Sequence, residues 1–170
     1  MTGEVVNRAL LPGSLCFGCG ADNPRGLHVA IMRDGERPDR LLGTIDPSPE
    51  MVGFPGITHG GVIYTALDCL AAWVPTVLRP EARAIWILRS ASIKYRRAAP
   101  AGRPISLAGT IAQEGKPGEP IVVHTEARGE AGELLAEADF KVVPLTPERF
   151  KEVAGLAEIP ENWRRLLGEK

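Results

Sequence analysis

The chain has 170 residues, 20 basic against 21 acidic side chains, a formal charge of -1 and 44% apolar content. Such a length suits one domain able to bury roughly two-thirds of its unfolded surface. The balanced charge argues against a nucleic-acid or anionic-membrane partner. Three cysteines are too few, and odd in number, for a secreted disulfide framework. Met1 to Leu11 carries Glu4, Asn7 and Arg8 and lacks the basic start and apolar run of a signal peptide. Gly60 to Leu78 is interrupted by Asp68 and Pro75, so it does not read as a membrane span. The expectation is a cytoplasmic enzyme or binding protein with no membrane partner.

The first 26 residues read as irregular and end in the turn-rich run Gly20 to Gly26. Strands follow at about Leu27 to Arg33 and Leu41 to Ile45. Asp46 to Ile57, with three prolines and two glycines, is predicted to be loop. Thr58 is a candidate N-cap for a helix running to about Val74. Val62, Ile63, Ala66, Leu67, Leu70, Ala71 and Val74 share its broad apolar face, and Pro75 is expected to end it. Four strand-like segments come next: about Arg83 to Arg97, Ile105 to Gln113, Pro120 to Arg128, and Leu134 to Val143. The last alternates most cleanly, with Leu134, Ala136, Ala138, Phe140 and Val142 on one face. Turns at Pro100 to Gly102, Lys116 to Gly118 and Gly129 to Gly132 are short enough for antiparallel neighbours. Two short helices, opening at Pro147-Glu148 and Pro160-Glu161 with proline at N1, close the chain.

The predicted order is β-β-α-β-β-β-β, an α+β domain over residues 1–170. Its core spans about residues 16–143 and its C-terminal helical extension 144–170. One mostly apolar helix beside six antiparallel strands hides its flanks only if the sheet curls around it.

Three local patterns go further. His59-Gly60-Gly61 opens the helix with Asp68 nine residues after His59, and the long strand ends in Ile93-Lys-Tyr-Arg-Arg-Ala-Ala-Pro-Ala-Gly102. Near the N-terminus stands Cys16-Phe-Gly-Cys-Gly20, followed by Asn23-Pro-Arg-Gly-Leu27. Together these resemble the hotdog-fold thioesterase superfamily, in particular its phenylacetyl-CoA thioesterase-like branch, over about Cys16 to Val143. The resemblance implies a long central helix wrapped by a six-stranded antiparallel sheet. It implies acyl-CoA hydrolysis to a carboxylate and coenzyme A, without a cofactor, at a subunit interface of a homodimer or homotetramer.

Thioester hydrolysis needs donors for the developing oxyanion and a carboxylate to activate water or to attack. A glycine-rich helix start offers unpartnered amides at the positive end of the dipole. By resemblance the Gly60 amide polarises the thioester carbonyl. The alternative is that Gly60 and Gly61 only permit close packing against a strand. Asp68 is the candidate base or nucleophile, being the only side chain between His59 and Arg79 expected to be fully charged. A buried carboxylate is costly unless hydrogen-bonded or functional. The other reading of Asp68 is a solvent-facing stripe with Thr65 and Ala72. Gly60 and Asp68 are eight residues apart, so ~12 Å along one helix axis. Both reach one carbonyl only if they come from two chains.

His59 is expected to anchor the preceding loop, or else to donate to substrate. Gly61, Tyr64 and Trp86 are candidate substrate contacts, with Ile63 and Leu67 as further acyl lining. Lys94, Arg96 and Arg97 are candidates for the phosphates of coenzyme A. Two departures from the family pattern bear on turnover. Met51 to Thr58 offers no asparagine or glutamine before the helix, and Leu88 stands seven residues before Tyr95 where many relatives carry a hydroxyl. Ser90 is expected on the same strand face as Leu88. A non-catalytic acyl-thioester-binding or ligand-sensing hotdog protein is therefore the alternative to an enzyme, ahead of a hydratase. Cys16 and Cys19 form a CxxC pair with His28 nearby and Cys69 far along the chain, short of the four ligands of a structural zinc site. No metal is expected.

Overall fold

A long apolar helix needs cover on most of its circumference, and a flat sheet covers only one side. The computed structural model describes residues 4–116 and 118–167. Pro117, inside the expected Lys116 to Gly118 turn, lies outside the described residues, as do the first three and last three of the chain. The elements are α1 (Val6–Leu10), β1 (Ala30–Arg33), β2 (Arg40–Ile45), β3 (Val52–Phe54), β4 (Ile57–Thr58), α2 (Gly60–Leu78), β5 (Ile85–Tyr95), β6 (Ile105–Gln113), β7 (Ile121–Arg128), β8 (Leu134–Leu145), α3 (Pro147–Ala154) and α4 (Glu161–Arg164). Six strands form one antiparallel sheet in the order β1-β2-β6-β7-β8-β5. The α+β class, the long helix and the six-stranded sheet are as expected.

The sheet wraps α2, which packs against β2, β5, β6, β7 and β8. Alternation supplies the lining: Ile121, Val123, Thr125 and Ala127 of β7, and Ala136, Ala138, Phe140 and Val142 of β8, are all buried. Gly109 on β6 sets how closely the helix approaches, since a Cβ there would stand 2.9 Å from Val74 Cγ2 and 3.1 Å from Leu70 Cγ. By length and composition α2 could cross a membrane, but 56% of that stretch is buried inside the fold, which is the pattern of a core helix.

Four local expectations are corrected. The stretch Asp46 to Ile57 is not all loop, because β3 and β4 form a small hairpin there. Thr58 does not cap α2: its hydroxyl donates to Pro100 O at 3.1 Å, and His59 is the cap. Pro75 does not end the helix, which runs on to Leu78. A helical proline forfeits one hydrogen bond and strains one turn, and burial of Val74, Pro75 and Val77 outweighs that loss. Finally, Pro160 is the N-cap of α4 rather than its first helical residue, whereas Pro147 does open α3 behind the Thr146 cap.

The long strand carries a bulge. Leu88 pairs with Val142 and Ser90 with Lys141, so Arg89 has no opposite number. One extra residue inverts the alternation from that point. Tyr95, Ile93 and Ala91 share the inner face of the sheet with Leu88 and Trp86, because they pair with inner-face positions of β8. Ser90 and Ser92 point to the outer face. The expectation that Ser90 shares a face with Leu88 is therefore wrong, and the bulge is the reason. Beyond it, from Arg89 to Tyr95, β5 is exposed or half-exposed and forms a free edge of the sheet. The C-terminal helices close over the other end, where Ile159 and Leu167 pack with Ile85, and the Phe150 and Trp163 rings stack at 5.4 Å.

The N-terminal lead-in is held by one buried side chain. Asn7, on the unexpected helix α1, donates to Cys19 O at 2.9 Å and to Val29 O at 3.0 Å, and accepts from Ile31 N at 2.9 Å. It thus pairs with the outer edge of β1 as a neighbouring strand would. Asn7→Ala leaves three buried backbone groups without partners, each worth ~1 to 3 kcal/mol. The variant is expected to lose at least ~2 kcal/mol of unfolding free energy, read by denaturant titration, while Arg8→Ala at the adjacent exposed position changes little.

Candidate active site

The expected site residues fall in two places along α2. At its N-terminus His59 caps the helix: its Nδ1 accepts from Gly61 N at 2.8 Å, which puts the ring proton on Nε2. The histidine ring thus holds the start of the helix itself. Gly61, expected among the substrate contacts, has already given its amide to that cap. The Gly60 N–H is different. Among the described residues it has no hydrogen-bond partner, and it stands at the positive end of the helix dipole.

Gly60 also meets the strand end, as the packing alternative foresaw. Tyr95 donates its hydroxyl to Gly60 O at 2.9 Å, and a Cβ on Gly60 would lie 3.2 Å from the Tyr95 ring. The two roles coexist, because the ring packs on the Cα side and the amide stays unpaired. His59, Gly60, Ile63, Tyr95, Arg96 and Arg97 line one open depression of about 590 Å³. Arg96 is tied to Glu137, whereas Arg97 forms no ion pair among the described residues. Lys94, one residue out of phase with Tyr95, lies on the outer face with Glu137 and is not part of this depression.

Asp68 lines a separate cavity of about 350 Å³, with Ala72, Trp73, Trp86, Leu88, Phe150 and Trp163 among its walls. The carboxylate is partly buried, and among the described residues it has neither a hydrogen bond nor an ion pair. Burial, with a smaller contribution from negative charge on Cys16, pushes its pKa up to about 6. A carboxylate desolvated without a partner is the arrangement a general base requires. Tyr64 lies one helical turn from both Gly60 and Asp68, and its ring tilts against Phe140 at a centroid distance of 5.7 Å. Ile63 borders the Gly60 depression, and Leu67 is wholly buried in the core. Trp86 is 9% exposed, and its indole N–H has no partner among the described residues. A further depression, at the C-terminal end of α2 between Arg79, Arg83 and Glu114, shares only Trp86 with the expected site.

Two features were missed in the sequence. The aromatic wall from Phe150 and Trp163 belongs to the C-terminal extension, whose two expected helices gave no sign of where they pack. The second is a thiol cluster. Cys69 stands far along the chain from the CxxC pair, yet the Sγ atoms of Cys16, Cys19 and Cys69 all lie within 4.8 Å of one another. The lead-in loop crosses α2 at Gly18, where a Cβ would meet Cys69 Sγ at 2.2 Å. The glycine in Cys-Phe-Gly-Cys is the one local signal that this loop lies against the helix.

No protein-family model matches the chain, and no curated protein matches it in sequence. Solved structures do match. The PaaI protein of the E. coli phenylacetic acid degradation operon aligns with a TM-score of 0.60 and 17% identity, over 71% of this chain and 81% of its own. A thioesterase of Haemophilus influenzae aligns at 0.64 and 16%, over 75% and 85%. A hypothetical thioesterase from Streptococcus pneumoniae TIGR4, solved with coenzyme A, aligns at 0.56 and 18%, over 64% and 80%. The chain has the hotdog fold, the fold of these thioesterase-superfamily proteins.

Because Asp68 has no partner to lose, Asp68→Asn should leave the thermal midpoint at neutral pH unchanged or raised. A fall of more than ~5 °C in differential scanning calorimetry would assign Asp68 to the packing of α2.

Proposed function

We propose that the protein hydrolyses an acyl-CoA thioester to a carboxylate and free coenzyme A, at sites shared between two protomers. The observation that carries this reading is the separation of an unpaired helix-start amide from an unpaired half-buried carboxylate. Gly60 and Asp68 open into different depressions ~12 Å apart on one helix. One carbonyl carbon needs both within roughly 3 to 3.5 Å. Two helices running antiparallel, brought together by pairing of the free β5 edges, would bring Gly60 of one protomer beside Asp68 of the other. An exposed edge of this length is a ready template for such pairing.

In that arrangement the Gly60 N–H donates to the thioester oxygen and stabilises the oxyanion as it forms. Asp68 either takes a proton from the attacking water or attacks the carbonyl carbon itself. The carbon–sulfur bond then breaks, and the thiolate of coenzyme A leaves and is protonated. The apolar cavity beside Asp68, walled by Trp73, Trp86, Leu88 and Phe150, suits an acyl group. Arg97, on the Gly60 side, suits a phosphate of the coenzyme. Coenzyme A in the similar S. pneumoniae structure supports the choice of ligand.

A non-catalytic acyl-thioester binder is the second reading. Leu88 occupies the cavity wall, and the bulge turns Ser90 outward. Neither supplies a hydroxyl to water near Asp68.

A panel of acyl-CoAs assayed by thiol release distinguishes the two. The proposal expects turnover by the wild type and a loss of at least ~100-fold in Asp68→Asn, with acyl-CoA affinity retained. Acyl-CoA binding without thiol release by the wild type would establish the binder instead. The oxyanion role has its own test. Gly60 is the first residue of α2, where proline is tolerated, and His59 is already extended at φ -61 and ψ 133 as a residue before proline must be. Gly60→Pro therefore removes the N–H with little change to the helix, and Gly60→Ala adds the same Cβ against Tyr95 while keeping the N–H. The proline variant is expected to lose ~100- to 1000-fold in kcat relative to the alanine variant; equal activities would remove the amide from the mechanism.

A further inference from the structure

The cysteine cluster is independent of the hydrolytic reading. We propose that Cys16, Cys19 and Cys69 bind one thiophilic d10 metal ion, zinc(II), as a three-thiolate site that pins the lead-in loop to α2. The fourth position faces the cavity beside Asp68.

Geometry is the first support. Cys16 Sγ and Cys69 Sγ stand 3.8 Å apart, and the third sulfur lies within 4.8 Å of both. Thiolates held at ~2.3 Å around a tetrahedral ion are spaced by roughly that first distance. A disulfide would need its sulfurs at ~2.05 Å, and all three cysteines are free. The ion would therefore enter with small side-chain movements and no rearrangement of the chain.

The surroundings of the sulfurs are the second support. The Trp73 indole N–H donates to Cys19 Sγ at 3.3 Å. A donor held on a ligand sulfur is the kind of outer-shell contact that orients metal ligands. The turn between the two loop cysteines is closed by Gly20 N donating to Cys16 O at 2.9 Å. Gly20 has no room for a Cβ, which would fall 2.5 Å from Cys16 N and Ser14 O. Together with Gly18 pressed on Cys69, these glycines fix the two loop thiols against the helix thiol.

Access and valence are the third. Cys16 is exposed while Cys19 and Cys69 are buried, and all three border the cavity that contains Asp68. With three protein ligands, water or an anionic ligand in the cavity completes a tetrahedron. Tethering residues 16 and 19 to residue 69 would lock one wall of that cavity, so the ion should stabilise the folded chain.

Reduced, metal-free protein titrated with zinc(II) against a chromophoric chelator tests this, with cobalt(II) as a spectroscopic substitute. One ion per chain is expected, with thiolate-to-cobalt charge-transfer absorption and a rise in thermal midpoint on zinc addition. Cys16→Ser, at an exposed position, and Cys69→Ser should each weaken binding beyond the ~10- to 100-fold that loss of an outer-shell partner costs. Both should also abolish the rise in midpoint. Failure of the reduced protein to compete with the chelator, retention of binding in both variants, or ready formation of a Cys16–Cys69 disulfide that zinc does not prevent would overturn the proposal. None of these outcomes bears on whether Asp68 and Gly60 hydrolyse thioesters.

Discussion

The burial of α2 governs the rest of the molecule. Ten of its residues are withdrawn from water, Ala66, Leu67, Leu70, Ala71 and Val74 completely, at a gain of ~25 cal/mol for each Å² of apolar surface. A sheet reaches that much of a cylinder only by curving. Gly109 lets it approach the helix closely at one contact. The fold is thus a compromise between covering the helix and finishing at two edges. One edge, β1, is capped by Asn7 and the lead-in. The other, β5, stays open.

What the sheet fails to cover is the candidate site. The uncovered stripe of α2 runs from Gly60 past Tyr64 to Asp68 and on to Ala72 and Thr76, beside the open edge. Its first member is an amide with no partner, because helix starts leave such groups. Asp68 is a carboxylate whose burial raises its pKa to about 6. Both are locally unfavourable, and neither is relieved among the described residues. Strain of this kind, left at an open edge, is what a second protomer or a ligand can relieve. The bulge at Arg89 belongs to the same economy. It turns Trp86 and Leu88 inward to wall the Asp68 cavity and leaves Ile85 and Ile87 to hold the C-terminal helices.

Much of this was legible in the sequence, and the reasons are specific. The α2 face was readable because seven apolar residues recur at helical spacing, and β8 because Ala136, Ala138, Phe140 and Val142 alternate with charged residues, although a bulge at Leu135 puts Leu134 off the face expected for it. His59, Gly60 and Asp68 stood out through local chemistry: two adjacent glycines and one lone charge in an apolar run. Long-range features were not legible. Arg89 carries no glycine or proline to mark a bulge, so the strand read as regular and Ser90 was placed on the wrong face. Pro75 obeyed a local rule that tertiary packing overrode. Asn7 and Cys69 find their partners at separations of 12 to 24 and 53 residues respectively. No periodicity records such pairs.

The central claim is that each site is completed by two chains, and mixed dimers test it directly. Gly60→Pro and Asp68→Asn protein are each assayed alone, then co-refolded in equal amounts and assayed for acyl-CoA hydrolysis. A mixed dimer holds one site with both groups intact and one with neither. The account predicts that two nearly inactive proteins regain roughly a quarter of wild-type activity, since random assortment makes about half of the dimers mixed and half of their sites intact. Activity no greater than the mean of the two separate variants, in a sample shown to contain mixed dimers, would contradict it.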